Sequence, residues 1–158
     1  MNDQEVVKRQ LAITQSLGFF NLMWVVLFAI VVYKLHTTAD WAAHGVGPDL
    51  WLRLSFFGLS FLAVAASGFF KRKILNAPVP STQGQTRILA LSTKLSKATL
   101  VAFALAELPA INAIGLFFLT GNKIDSGLLI FLSLGASIFY FPRYAQWEEW
   151  IRARSPQP

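Results

Sequence analysis

Four long stretches of apolar residues constrain the fold of this chain more than any other feature of its sequence. They cover residues 17–35, 50–70, 98–120 and 126–141. The hydrocarbon core of a bilayer is about 30 Å thick, and roughly 20 apolar residues in an α-helix cross it. The sequence therefore predicts an all-α fold in one domain, an integral membrane four-helix bundle.

The composition agrees with a chain that lies mostly in lipid. Charged residues make up only 14% of the chain and hydrophobic residues 54%, whereas a typical soluble domain has about 25% charged residues. The first apolar stretch follows Asp3, Glu5, Lys8 and Arg9, and it is longer than the apolar region of a signal peptide, which has about 7–15 residues. We therefore expect a retained span whose helix begins near Gln4.

The basic residues are distributed unevenly between the two sides that four spans create. Eleven of them fall in the first tail, the segment 71–97 and the last tail, and three fall on the other side. Because basic residues are enriched on the cytoplasmic side, both termini and the loop 71–97 are predicted to be cytoplasmic. The expected location is the cell inner (plasma) membrane. The net charge of +6 arises from these flanks, so anionic lipid headgroups explain it and nucleic acid is not an expected partner.

The segments between and after the spans have patterns of their own. Residues 77–85 contain Pro78 and Pro80, which predicts an irregular linker. Residues 86–97 have a helical pattern that either lies on the membrane surface or extends the third span. After Pro142, aromatic and aliphatic residues recur at helical spacing among charges, which predicts a short C-terminal interfacial helix. These residues are Tyr144, Trp147, Trp150 and Ile151.

The second span combines small residues with an arginine near its start. Its last part reads AVAASGFF, and small residues let helices approach closely in lipid, so we expect this span to pack centrally. Arg53 follows Asp49 by four residues. The two can pair on one helix face, or Arg53 can extend its charge to the membrane surface.

Glu107 is the only acidic residue deep inside a span. It lies nine residues after Ala98, which corresponds to about 14 Å along a helix. A charged side chain at that depth costs at least ~2.5–3.5 kcal/mol on insertion scales. Glu107 is therefore expected either to be protonated or to face a polar interior, a pore or a bound cation.

A proline lies one half-turn from this carboxyl group. Pro109 has no amide hydrogen and clashes with the carbonyl group of Leu105, which loosens the helix. A protonated Glu107 can donate to such a carbonyl, and an ionised one can share a cation with it. The sequence thus predicts Glu107, Leu105 and Pro109 as an ion-binding group.

The same span carries a row of alanines and an asparagine. Alanines recur every four residues from Ala98 to Ala110, which gives a smooth face for packing against another helix. Asn112 lies about 140° around the helix from Glu107, so it is predicted to contact a neighbouring span, as is Asn21. Asn21, Gln15 and Ser16 of the first span are candidate partners for Glu107 or Asn112.

Residues 104–116, ALAELPAINAIGL, resemble the ion-binding helix of the rotary ATPase proteolipids, the membrane-ring c subunits. The matching residues are Glu107, Pro109 and the pair Gly115-Leu116. In that family a membrane-embedded Asp or Glu is alternately protonated and released, so the resemblance implies proton or cation binding by Glu107. The chain differs from the family in lacking a glycine-repeat inner helix and in carrying its carboxylate in the third span.

Metal and enzyme chemistry have little support in the sequence. His36 and His44 lie near Asp40 and Asp49, and such groups can bind a divalent ion, but their spacing matches no known ligand set and solvated loop residues are the favoured interpretation. There is no cysteine, and no nucleophile elbow or phosphate-binding glycine loop occurs. We expect no cofactor and no enzymatic activity.

Two functions follow from these features. The first is a small non-enzymatic multi-pass protein that acts as a homo-oligomer or as an accessory subunit of a membrane complex, through its small-residue faces. The second is a proteolipid-like protein in which an oligomer presents Glu107 carboxyl groups to protons or cations. The expected partners are the lipid bilayer and other membrane chains.

Overall fold

The computed structural model describes residues 3–38, 50–79 and 85–154. These residues form five helices and no strand, which confirms the all-α prediction for this part of the chain. The helices are α1 (Asp3–Thr38), α2 (Leu50–Asn76), α3 (Gln85–Thr120), α4 (Lys123–Tyr140) and α5 (Tyr144–Arg152).

Helices α1 to α4 are long and apolar enough to cross a membrane. Their outward surface is apolar as well: Trp51 is 76% exposed, Phe131 75% and Phe139 78%. A soluble monomer rarely exposes large contiguous apolar patches, so this surface suits lipid rather than water.

Two of the helices are longer than a bilayer requires. α1 and α3 have 36 residues each, and a helix of that length extends about 54 Å. They run in the same direction, since Thr14 contacts Ser96 and Gly18 lies against Phe103. Their first halves pack with α5 at one end of the bundle, which we call the terminal end. Residues 86–97 belong to α3, so of the two interpretations of this segment the structure shows the extension of the third span.

The turn between α3 and α4 is fixed by two residues. Gly121 adopts a positive φ of 65°, a conformation that glycine accepts without steric cost, and its N–H donates to the Phe117 carbonyl at 2.7 Å. The Asn122 side chain then accepts from the amides of Ile124 and Asp125 at 3.0 and 3.3 Å. This N-cap starts α4 at Lys123, three residues before the apolar stretch at 126.

α3, and not α2, is the central helix, so the expectation for α2 was wrong. α3 packs against α1, α2 and α4, whereas the described parts of α1 and α2 make little contact with each other. Every alanine in the row from Ala98 to Ala110 is fully buried. α2 buries only the narrow stripe Ser60, Ala63 and Ser67, because large side chains alternate with its small ones and face outward.

Close contacts at two glycines bring α1 and α2 onto α3. A methyl group at Gly18 would lie 2.9 Å from the ring of Phe103, and one at Gly115 would lie 3.1 Å from the ring of Phe56. Phe103 therefore marks the side of α3 that faces α1, and Gly115 marks the side that faces α2.

α5 packs on protein at the terminal end. Trp147 and Ile151 are 3% and 6% exposed and form a hydrophobic cluster with residues of α1 and α3; we call it the terminal cluster. The other buried members are Val7, Leu11, Leu91 and Leu95. The helix occurs where the tail pattern predicted one, but Trp147 is buried against neighbouring helices and is not exposed for contact with headgroups.

Candidate functional site

The two asparagines predicted at helix contacts lie at different interfaces. Asn112 donates from Nδ2 to Ser60 Oγ at 2.9 Å, which joins α3 to α2. Asn21 is buried and accepts at Oδ1 from Ser137 Oγ at 3.2 Å, which joins α1 to α4. Neither asparagine contacts Glu107.

The remaining polar side chains of α1 also bond elsewhere. Gln15 donates to the Pro142 carbonyl at 3.1 Å, and Ser16 donates to Ala12 in its own helix at 3.0 Å. The Thr14 and Ser96 hydroxyls are 2.8 Å apart and link α1 to α3. The three α1 residues proposed as partners for Glu107, Asn21, Gln15 and Ser16, therefore all bond to other groups.

Glu107 has no partner within the part of the chain that the structure describes. No hydrogen bond or ion pair reaches its carboxyl group there. The side chain is half-buried. The nearest basic residue along α3 on the terminal side is Lys97, ten residues away, which corresponds to about 15 Å of helix.

Glu107 borders a surface of α3 that none of the other described helices covers. Ala104 and Ile111, three residues before and four residues after Glu107, share its side of the helix, and both are exposed. They lie between the side that faces α1, marked by Phe103, and the side that faces α2, marked by Gly115. We call this surface the open face; its exposed apolar members are Ala104 and Ile111.

Pro109 and Leu105 lie on the buried flanks of the same helix. Pro109 is fully buried, and α3 continues through it as one helix. Leu105 is half-buried and points about 200° away from Glu107. The adjacent carbonyl group of Ala106 accepts a hydrogen bond from Ser133 Oγ at 2.6 Å, so α4 supplies a hydroxyl group next to the proline. Ion binding by Glu107, Leu105 and Pro109 stays a prediction.

A charged cluster that the sequence analysis missed lies at the opposite end from the termini. Arg53 donates from Nε to Asp125 Oδ2 at 2.5 Å and from Nη2 to Oδ1 at 2.8 Å. Asn122 Nδ2 also donates to Asp125 Oδ2, at 2.8 Å. The cluster ties the start of α2 to the start of α4. Asp49, the partner expected for Arg53, lies outside the described residues.

The side chains of the two histidines that are weak metal candidates lie outside the described residues. His44 lies outside the described residues, and His36 lies in α1 with a side chain that is also outside them. Among the side chains that are described, no group of three or more histidine, aspartate or glutamate residues is arranged to hold a metal ion.

Comparison with protein-family models, with curated protein sequences and with solved structures finds no match for this chain.

Proposed function

We propose that this protein is a non-enzymatic subunit of a membrane complex, in which a transmembrane helix of a second chain covers the open face of α3. The second chain is another copy of this protein or a different membrane subunit. The observation that carries the proposal is Glu107, a half-buried carboxyl group at mid-membrane depth without a partner among the described residues of its own chain.

The energetic argument concerns what happens to Glu107 if the open face contacts only lipid. A charge at this depth costs at least ~2.5–3.5 kcal/mol, and a neutral carboxyl group in hydrocarbon still lacks a hydrogen-bond partner. A helix that brings a polar group to Glu107 removes this cost. The side chain of Ala104 beside the carboxyl group is small, which allows a second helix to approach α3 closely.

The alanine row cannot drive this association. Ala98, Ala102, Ala106 and Ala110 are fully buried against helices of the same chain. The small-residue face that the sequence suggested for assembly is thus buried within the bundle and cannot contact a second chain. We therefore propose the open face as the contact surface. We assign the terminal end to the cytoplasm and the protein to the inner membrane, because eleven of the fourteen basic residues lie at that end by sequence.

Site-specific crosslinking tests the assembly. The chain has no cysteine, so A104C or I111C introduces a single thiol on the open face. In native membranes treated with copper phenanthroline as the oxidant, we expect either variant to form a disulfide dimer. If the second chain is a different, co-purified subunit, we expect a mixed disulfide with a cysteine introduced along that subunit. F131C, at a position on α4 that is 75% exposed, is the matched lipid-facing control. Equal crosslinking at all three positions contradicts the proposal.

Substitutions of Glu107 in the A104C background test the role of the carboxyl group. An interhelical polar contact in a membrane contributes about 1–2 kcal/mol in model peptides, so E107L is expected to reduce the dimer equilibrium about 5- to 30-fold. E107Q keeps a hydrogen-bonding side chain and is expected to retain the dimer. S55L, which removes an exposed hydroxyl group from α2, controls for added apolar surface. An unchanged dimer in E107L removes the basis of the proposal.

A second function rests on the same carboxyl group: an oligomer could present several copies of Glu107 to protons or cations, as the resemblance to proteolipids implies. Under this alternative a hydrophobic carbodiimide labels Glu107, and raising the pH or the sodium concentration slows the labelling. E107Q then abolishes the ion-dependent behaviour while the oligomer persists. Absence of labelling at every pH eliminates this alternative and leaves the assembly proposal standing.

A further inference from the structure

A groove at the terminal end combines an apolar lining with lysines. It lies between the end of α2 with the residues that follow it and the first half of α3, and its volume is about 590 Å³. Ile74, Val79, Leu89 and Ala90 contribute apolar surface, and Lys94 and Lys97 lie along one side.

The lysines are available to an anion. Lys94 Nζ donates to the Ala77 carbonyl, and since an ammonium group has three donors, two of them remain. Lys97 is exposed. No acidic residue is among the described residues that line the groove.

Two arginines, Arg87 and Arg154, add positive charge near the groove. Arg154 is close enough to Lys94 for their charges to repel. Arg87 donates from Nη2 to the Arg154 carbonyl at 2.9 Å, and its buried Nε has no hydrogen-bond partner among the residues that the structure describes. A cluster of like charges with an unused donor is stabilised by an anion between or beside its members.

The position of the groove indicates where this anion comes from. Lys71, Arg72 and Lys73 occupy the last turns of α2, and basic residues mark the level at which a spanning helix meets the headgroups. The groove begins at Ile74, directly beyond them. On α3, the exposed residue Val101 continues the apolar surface from Lys97 toward the hydrocarbon.

We propose that this groove binds an anionic phospholipid of the surrounding leaflet. The phosphate lies against Lys94 and Lys97, and an acyl chain lies against the apolar lining and Val101. The site is separate from Glu107, which is ten residues beyond Lys97, so the inference does not depend on the proposed function. A soluble phosphate uses the lysines but leaves the apolar lining uncovered.

Lipid titrations of the full chain in a neutral detergent test the site. Phosphatidylglycerol and phosphatidylcholine with the same acyl chains are the probes, and bound lipid is counted by native mass spectrometry. We expect phosphatidylglycerol to bind more tightly. Each basic residue near an anionic lipid contributes about a fivefold effect, so K94Q/K97Q is expected to weaken phosphatidylglycerol binding about 30-fold.

Three further variants make the result specific. K8Q/R9Q removes the same charge from two exposed positions on α1 and is expected to leave binding unchanged. K97Q alone changes only an exposed lysine and is expected to cost about fivefold, which covers the case in which loss of the Lys94 bond disturbs the fold. A90F keeps both lysines, fills the groove and is expected to prevent binding.

Several results overturn the proposal. Equal losses in K94Q/K97Q and K8Q/R9Q indicate a general attraction between charges. Equal binding of the two lipids shows that the phosphate site does not select an anion. Full displacement of phosphatidylglycerol by inorganic phosphate, with A90F unaffected, shows a site for free anions and not for a lipid.

Discussion

Replacing Trp147 with alanine is expected to detach α5 and destabilise the terminal end by about 3–5 kcal/mol, the range for truncating a buried tryptophan. Trp147 is 3% exposed and packs with Leu11 of α1 and Leu91 of α3. Its removal opens a cavity that a nine-residue helix cannot close. Hydrogen exchange measured by mass spectrometry should show faster exchange in α5 and in the first three turns of α1, with the spans unaffected.

Trp150 provides the control. It is half-buried and its ring lies 4.2 Å from the Arg154 guanidinium carbon, a cation–π contact that contributes about 0.5–1 kcal/mol at an exposed site. W150A is therefore expected to change exchange only slightly. If W147A and W150A had equal effects, Trp147 would act as a membrane anchor and the terminal cluster would not hold α5.

The second large effect is expected at the Arg53–Asp125 pair. Asp125 has a side chain that is 4% exposed, whereas that of Arg53 is 38% exposed. R53Q leaves a buried carboxylate that still accepts from Asn122, and we expect a loss of about 3 kcal/mol, the lower end of the range for breaking a buried ion pair. The measurement is the free energy of unfolding in a denaturing detergent titration, followed by circular dichroism.

The two partners of this pair are expected to respond unequally. D125N leaves Arg53, which is able to reach water with its long side chain, and is expected to cost only about 1 kcal/mol, the net value of a typical hydrogen bond. The double variant R53Q/D125N is expected to be more stable than R53Q alone, because no buried charge is left uncompensated. A double variant as unstable as R53Q would mean that the pair does not connect α2 to α4 energetically.

The sequence was informative where the determinant is local. Hydropathy over windows of about 20 residues identifies the spans, and Gly121 followed by Asn122 marks a helix end followed by a helix start because both act on their own backbone. Glu107 stood out because of its position within an apolar stretch, since a carboxyl group deep in a span is rare. The structure adds that it borders an open face, which depends on where α1 and α2 lie.

What the sequence did not reveal depended on contacts between distant parts of the chain. Arg53 and Asp125 are 72 residues apart, and nothing near either one indicates the other. The small residues of α2 indicated that another helix can pack closely against it. They did not indicate how many helices do so, and the central helix is the one that contacts the most neighbours. The helical spacing around Trp147 is the same whether the tryptophan contacts lipid headgroups or the leucines of neighbouring helices, so the sequence does not distinguish the two.

The continuity of α3 has a mechanical consequence. One helix carries the groove lysines, the buried Pro109 and the carboxyl group of Glu107, and a proline inside a helix makes a local bend easier. Gln85 lies 24 residues before Pro109, so a tilt of about 5° around the proline carries the first turn of α3 through about 3 Å. A bend at Pro109 thus displaces the groove lysines relative to the half of α3 that follows the proline.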